Sequence, residues 1–436
     1  MSVAPAPHLR RTGLLIAILS VAAIGLATLL PEPGVATGSH FCLVCGSLGG
    51  VNSVLNVVLF VPLGIGLALS GMPTKRALLA MCALSVFIET AQFFVIPGRY
   101  STIGDVLTNS LGGALGFPVG RYAELWLRPS PRMARNLALG WAAIWLGLQV
   151  ISSFGFALSV PDSRYYGQIA RALGNYAVFP GQVLSASIDD VQIPNTALAD
   201  SRSVQRLLSD GATVLTTAVP AEPTVEVAPI MRIADDQKRE IVLVAEDGKD
   251  FIFGVHTGAA VLRLRPPRFS VPNAFPARVS SAALPSDTLR LSGRYDSREV
   301  IMSVQVRSTA RQRRITLASS LGWTFWLPNQ WFIEGTRAEV LISWIWLACL
   351  AIPFGYWSFR GERSSQSSGI ALESALVFVA GFALFCTGLL LLPRAFGLSA
   401  APIGDWLATL AGLVIGYRLM ARMTKLSGSR GSDPAD

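Results

Sequence analysis

The chain has 436 residues, of which 51% are hydrophobic and 14% charged, where soluble domains carry about 25% charged residues. With a mean hydropathy of +0.49, these proportions exclude an ordinary soluble enzyme. The formal net charge of +9 would suit nucleic acid, but in so apolar a chain basic residues first report membrane topology; they satisfy that role here, and no nucleic-acid partner is implied.

Crossing about 30 Å of hydrocarbon takes roughly 17–25 apolar residues. In chain order such runs fall near 14–30, 54–70, 77–96, 106–127 and 137–159, and, after a long polar interval, near 338–357, 371–392 and 403–420. The pattern predicts an α-helical polytopic membrane protein of about eight transmembrane helices. Its expected parts are a membrane domain over 1–160, an inserted domain over 161–337, a C-terminal membrane domain over 338–422 and a tail over 423–436. The first run follows Arg10 and Arg11, and its length favours an anchor over a cleaved signal.

The interval 161–337 holds 20 Lys and Arg against 17 Asp and Glu, nearly balanced. With a cytoplasmic N-terminus, most of the other basic residues fall inside: Arg10, Arg11, Lys75, Arg76, Arg121, Arg128, Arg132, Arg135, Arg360, Arg363, Arg418, Arg422, Lys425 and Arg430. Outside these stand Arg99 and Arg394. This bias predicts a bacterial-type cytoplasmic membrane protein with 161–337 on the extracytoplasmic side.

Cys42 and Cys45 form a C-x-x-C in the first outer loop. A local disulfide, unpaired thiols and a redox or metal role are all compatible with it. A lone pair cannot complete a four-ligand zinc site, and the histidines are His8, His40 and His256 alone, so no metal or other cofactor is expected. Cys82, Cys349 and Cys386 lie in apolar runs, where a thiol acts as a small packing residue.

Within 161–337 the long runs give way to short alternating segments, the pattern of strands with one buried face. Strands are expected over 225–233, 241–245, 250–255, 260–265, 288–292, 300–307 and 315–318, with Asp247-Gly248 as a hairpin turn. Many short strands without a long helix point to a β-sandwich. Trp323, Trp326, Trp331 and Phe332 precede a span, as an interfacial aromatic belt would. Arg307, Arg311, Arg313 and Arg314 form an exposed basic loop that could meet anionic lipid or envelope polymer.

The first helices carry a polar set: Asn56, Pro62 and Gly64; Glu89 and Gln92; Arg99; Gly104, Asp105, Asn109, Gly112 and Gly116. Glu89 and Gln92, three apart, share a helix face, as do Asp105 and Asn109, four apart. A carboxylate in hydrocarbon costs at least about 2.5 kcal/mol, so Glu89 needs a partner, and Arg99 is the nearest candidate. Asp105 begins its helix, where it complements the free N–H groups. Gly112 and Gly116 form the G-x-x-x-G of closely packed helices.

In order, Asn56, Phe60-Val61-Pro62-Leu63-Gly64, Glu89-x-x-Gln92, Arg99 and Asp105-x-x-x-Asn109-x-x-Gly112-x-x-x-Gly116 resemble the VanZ-like family over about 14–127. The resemblance implies a membrane protein related to one associated with low-level teicoplanin resistance; it does not supply a chemistry. The inserted domain is similar to concanavalin-like or laminin-G-like sandwiches, through Val242-Leu243-Val244 and Ala259 to Arg265, which implies glycan or calcium binding without naming residues.

Ile103-Gly104-Asp105-x-Leu107, with Gly112 and Gly116, recurs as Ile403-Gly404-Asp405-x-Leu407 with Gly412 and Gly416. The last two spans therefore read as a degenerate copy of spans 3 and 4, with Leu384 and Thr387 in place of Glu89 and Gln92. The favoured function is an outer polar pocket of Asn56, Glu89, Gln92, Arg99, Asp105 and Asn109 engaging a membrane lipid or lipid-linked envelope component. A membrane-anchored glycan receptor is the alternative, with an intramembrane enzyme or transporter beyond it. No nucleophile or metal constellation is evident for catalysis.

Overall fold

The computed structural model describes residues 7–31, 41–170, 173, 176–221, 224–275, 288–307, 309–358 and 379–428. The start of the seventh apolar run, His40, Arg360, Arg363 and Arg430 lie outside them. The chain forms two compact units, Met1–Leu137 and Ala138–Asp436.

The first unit holds α1 (Pro7–Thr28), α2 (Gly49–Leu69), α3 (Thr74–Phe94), α4 (Ile103–Arg121), the short α5 (Ala123–Leu127) and the first residues of α6 (Pro131–Phe156). Phe60, Leu63, Met81, Ile88 and Phe117 form its core. Glycines set the spacing. A methyl group on Gly112 would strike the carbonyl of Val57, one on Gly116 that of Val61, and one on Gly64 that of Gly113, so α2 and α4 lie backbone against backbone. Gly66 is held as closely against Gly13 and Ala17 of α1.

Six described helices are long and apolar enough to cross a membrane: Leu9–Thr28, Gly49–Leu69, Thr74–Phe94, Pro131–Phe156, Arg337–Ser358 and Ile403–Met423. α4 is not among them, because its glycines, Asp105, Thr108 and Asn109 dilute the apolar run. Val379–Ala395 is shorter. Leu15, Leu79, Phe87, Leu107, Leu111 and Leu410 are all exposed on outward faces, an arrangement that suits lipid rather than water. Cys82 and Cys349 are exposed too, on helix surfaces rather than in the core positions expected.

In the second unit, α6 is followed by β1 (Tyr165–Ile169), β2 (Gln182–Ile188), β3 (Val191–Gln192), α7 (Ser201–Ser209), β4 (Thr213–Val219), β5 (Ala228–Asp235), β6 (Glu240–Asp247) and β7 (Asp250–Val255). Next come α8 (Gly258–Val261), β8 (Arg268–Val271), β9 (Leu289–Asp296), β10 (Glu299–Val306), β11 (Thr309–Thr316), a 3-10 helix (Ser319–Trp326) and β12 (Phe332–Ile333). The chain closes with α9 (Arg337–Ser358), α10 (Val379–Ala395) and α11 (Ile403–Gly428). The strands make two six-stranded sheets, ordered β1-β5-β6-β7-β8-β12 and β11-β10-β9-β4-β2-β3. They pack face to face: Gly293 of β9 meets the ring of Phe253 of β7, and Phe269 lies 6.0 Å from Tyr295. β4 and β9 alternate buried and more open residues, whereas β5 to β7 are buried almost throughout, since Val227 and Phe332 cover the far side of Leu243, Ala245 and Ile252.

Four expectations are corrected. Residues 260–265 are not a strand: α8 and a turn occupy this stretch, where Gly258 abuts the Phe154 carbonyl and Pro266-Pro267 cannot join a ladder. That removes one segment of the laminin-G likeness. The hairpin turn is centred on Gly248-Lys249, since Asp247 pairs with Asp250, and Gly248 takes φ +59°. The basic loop is mostly strand β11, where Arg311 donates to the Asn273 carbonyl, Arg313 to that of Glu334, and Arg314 faces Glu299. Charged side chains on such an edge strand discourage unwanted pairing. Finally, the aromatic segment is only partly at the surface: Trp323 and Phe325 are buried, the Trp323 indole donating to Ser343 of α9, while Trp331 is exposed.

Candidate functional site

The polar set of the first unit meets at the turn between α3 and α4. Gly98, at φ +78°, helps reverse the chain after α3, and Thr102 caps α4 by accepting from the Asp105 N–H at 3.0 Å. In a capping box the third helical residue would take the cap's own N–H. Here Glu89 of α3 takes it, Oε2 accepting from Thr102 at 2.9 Å. Asp105 is thereby left to bind side chains: Oδ2 accepts from the Thr102 hydroxyl at 2.8 Å and Oδ1 from the Asn56 amide at 2.6 Å. Asn56, Glu89, Thr102 and Asp105, from three helices and one cap, thus form one chain of hydrogen bonds. Glu89 and Thr102 are buried, while Asn56 and Asp105 are half-buried.

The other expected residues lie around it. Asn109, 2% exposed, donates to Ser85 at 3.1 Å, one turn further into the helices, and its Oδ1 has no donor among the described residues. Gln92 donates to the Thr28 carbonyl at 2.9 Å, and Arg99 to those of Ala27 and Leu30 at 3.0 and 3.1 Å. Both therefore grip the last turn of α1, where exposed carbonyls attract a cation. The partner sought for Glu89 proves to be a backbone N–H, and Arg99 is directed to α1. Thr102, the hub, and Ser85 were not among the expected pocket residues; the S/T-x-x-D cap at Thr102 to Asp105 was the available signal.

Cys42 and Cys45 are disulfide-bonded. Their loop rests on the start of α4, where Gly104 donates to the Cys42 carbonyl at 3.2 Å and a side chain at Gly104 would strike the Leu43 carbonyl. Phe41, Leu43 and Val44 of this loop are exposed. No group of three or more His, Cys, Asp or Glu that could hold a metal occurs among the described residues.

The VanZ/LLP1 family model matches residues 19–124. The VanZ/LLP1 region thus holds the C-terminal part of α1, all of α2 to α4, and every residue of the hydrogen-bonded chain. No curated protein and no solved structure matches this chain. Together with its apolar helices, the VanZ/LLP1 match makes this a multi-pass membrane protein that also carries a sheet-rich domain.

The glycine packing of the VanZ/LLP1 region recurs in the second unit, further than the sequence repeat suggested. A side chain on Gly412 of α11 would strike the Ala348 carbonyl of α9, one on Gly416 that of Ile352, and one on Gly355 that of Leu413. This register makes α9 the counterpart of α2 and α11 the counterpart of α4, and Pro62-Leu63-Gly64 corresponds to Pro353-Phe354-Gly355. Asp405 then stands for Asp105, but Leu347 for Asn56, Pro402 for Thr102 and Thr409 for Asn109.

Periodicity also hid an ion cluster on the outer side of the first sheet, where Glu240 accepts from Arg232 at 3.2 Å and Arg268 at 3.1 Å, and Tyr176 donates to it at 3.0 Å. These partners bond one another through all but the buried Nε of Arg268, so the cluster reads as the polar seam under the 176–177 segment.

Proposed function

We propose that this protein acts at the bacterial cell envelope, its VanZ/LLP1 region engaging a lipid-linked or cell-wall component, a role of the kind that bears on glycopeptide susceptibility. The observation behind this reading is the Asn56–Asp105–Thr102–Glu89 chain: two carboxylates, an amide and a hydroxyl gathered at one end of otherwise apolar helices. Intramembrane polar groups are expensive and tend to mark functional sites. Arg99, half-buried at the rim, supplies a cation for an anionic headgroup, and the Asn109 Oδ1 an acceptor for an amide.

The reading includes eight transmembrane helices, counting α4 and the run that ends in α10, with a cytoplasmic N-terminus and residues 161–337 on the extracytoplasmic side. Support comes from the inward bias of Lys and Arg and from the Cys42–Cys45 disulfide, a bond at home in an oxidising compartment. The test expresses Glu89→Gln, Arg99→Ala and Asp105→Asn at wild-type levels and measures teicoplanin susceptibility and lipid-linked precursor pools. Changed susceptibility in these variants is expected. Wild-type behaviour in all three, at normal abundance, removes the reading.

A second reading, a membrane-anchored glycan receptor with a concanavalin-like domain, draws on the outer face of the second sheet. There Arg290, Arg294, Ser292, Ser303 and Gln305 share one side of β9 and β10, offering hydroxyl, amide and guanidinium groups. Glycan-array binding by the full chain, lost in Arg290→Ala with Arg294→Ala, is its expected signature.

A further inference from the structure

The loop closed by Cys42 and Cys45 sits where α2 and α4 begin. Gly104 of α4 donates to the Cys42 carbonyl at 3.2 Å, and a side chain on it would strike the Leu43 carbonyl. On the other flank, a side chain on Gly49, the first residue of α2, would strike Val44. The ring of four residues therefore lies over the ends of the two helices that carry Asn56 and Asp105. It supplies the acceptor for a first-turn N–H of α4, one that no helical carbonyl can reach. The N–H groups of Thr102, Gly104 and Asp105 thus go to Glu89, Cys42 and Thr102 in turn, so the disulfide loop and the hydrogen-bonded chain hold one and the same turn.

The helices themselves are held by other means. Gly64, Gly66, Gly112 and Gly116 set α1, α2 and α4 backbone against backbone, and a ring this short removes little entropy from the unfolded chain. Both cysteines are half-buried, and Phe41, Leu43 and Val44 around them are exposed, so an incoming thiol can reach the sulfurs. Exposed disulfides that add little stability are the ones that exchange. The second helix pair adds a contrast: Gly404 is covered by the Trp344 ring rather than by a disulfide loop, and there Leu347 and Pro402 replace the amide and hydroxyl partners. The breakable cap accompanies the complete polar chain.

We propose that Cys42–Cys45 is a thiol–disulfide exchange site, opened by a dithiol protein of the same compartment, and that opening it releases the start of α4 and loosens the Asn56–Asp105–Thr102–Glu89 chain. A thiolate of the partner attacks one sulfur of the pair, and the other sulfur leaves as a thiolate and takes up a proton. The partner's second thiol, losing its proton, then attacks the mixed disulfide, and the remaining cysteine leaves and is protonated. Two electrons and two protons pass to this chain, which gains two thiols, while the partner gains a disulfide. With the ring open, the Cys42 carbonyl is no longer fixed against Gly104, and an unsatisfied N–H enters the turn that presents Asp105. The control this gives over a lipid-linked ligand rests on the function proposed above; the exchange and the loosening do not.

The test uses the purified full chain in detergent. The free thiols of Cys82, Cys349 and Cys386 are blocked with N-ethylmaleimide, reduced thioredoxin is added in excess without denaturant, and newly freed thiols are counted by mass after a second maleimide. Both Cys42 and Cys45 should become labelled. Hydrogen exchange in peptides spanning 102–106 should then quicken about tenfold or more, while peptides spanning 402–406 keep their rate. Cys42→Ser with Cys45→Ser should exchange at the fast rate without reductant; if that variant fails to fold, the reduction series on the wild type decides. A disulfide that thioredoxin leaves intact overturns the proposal, as does an opened disulfide with 102–106 protected as before. No ligand enters these measurements, so unchanged teicoplanin susceptibility in Glu89→Gln, Arg99→Ala and Asp105→Asn would remove the proposed function and leave the exchange result standing.

Discussion

α2 with α4 and α9 with α11 are packed by the same devices: a Pro-x-Gly on one helix and a glycine ladder on the other, each glycine facing a carbonyl. Polar groups separate the two pairs. In the first, Asn56 and Thr102 complete the carboxylate of Asp105; in the second, the corresponding Leu347 and Pro402 leave Asp405 with a bare oxygen. The end of the helix pair is closed differently as well, by the disulfide loop over Gly104 in one case and by Trp344 over Gly404 in the other. Close helix packing is therefore found both with and without the polar chain.

The strongest way to break this parallel is at the glycines. Gly116→Leu and Gly416→Leu should each destabilise by about 3 kcal/mol or more, because the obstacle is backbone that cannot step aside. Both should show as lost monodisperse protein in size-exclusion chromatography, and a tolerated substitution in either pair would end the equivalence. Next comes an exchange of polar partners. Asn56→Leu should cost about 1–3 kcal/mol by stranding Asp105, read as a lower unfolding midpoint.

The caps differ more gently. Cys42→Ser with Cys45→Ser should cost no more than about 2 kcal/mol, the entropy of so short a loop, and reductant on the wild type should match it. The smallest effect separates the sheet domain from the helices. Burial pushes the imidazole of His256 below its ordinary value, with Nδ1 at 3.1 Å from the Ser159 carbonyl. The unfolded chain therefore binds that proton first. Stability is whole above about pH 6.5 and falls below it, by at most about 1.4 kcal/mol per pH unit. His256→Phe should flatten this slope in thermal scans from pH 7.5 to 5.5.

Much of this was legible in residue order. The Asp247-Gly248 dipeptide located the hairpin of β6 and β7, and alternation the strands β9 and β10, since a strand with one buried face must alternate. β1 and β2 escaped notice because their Gly, Gln and Ser weaken the pattern, β4 because it buries Thr216 and leaves Leu215 on the open face, and residues 260–265 misled because an apolar stretch looks the same in strand or helical turn. The pocket residues were named from spacing, yet Thr102 was passed over: a threonine before a helix reads as a cap, and only the fold brings Glu89 to its N–H. Arg99 was matched to Glu89 on charge and proximity, whereas the free carbonyls at the end of α1 were the geometric fit.

What the sequence determined alone is what depends on counting along the chain: apolar lengths that fit a bilayer, the bias of basic residues, the Asp-Gly-Gly repeat and the C-x-x-C. Tertiary structure decided everything that depends on which donor reaches which acceptor. Hydrogen bonds act over about 3 Å, and Asn56 reaches Asp105, and Ser320 and Trp344 reach Asp405, from elements dozens of residues away. A leucine for an asparagine on the facing helix, invisible from the repeated Asp itself, goes with the difference between a carboxylate bonded at both oxygens and one with an unpartnered Oδ2.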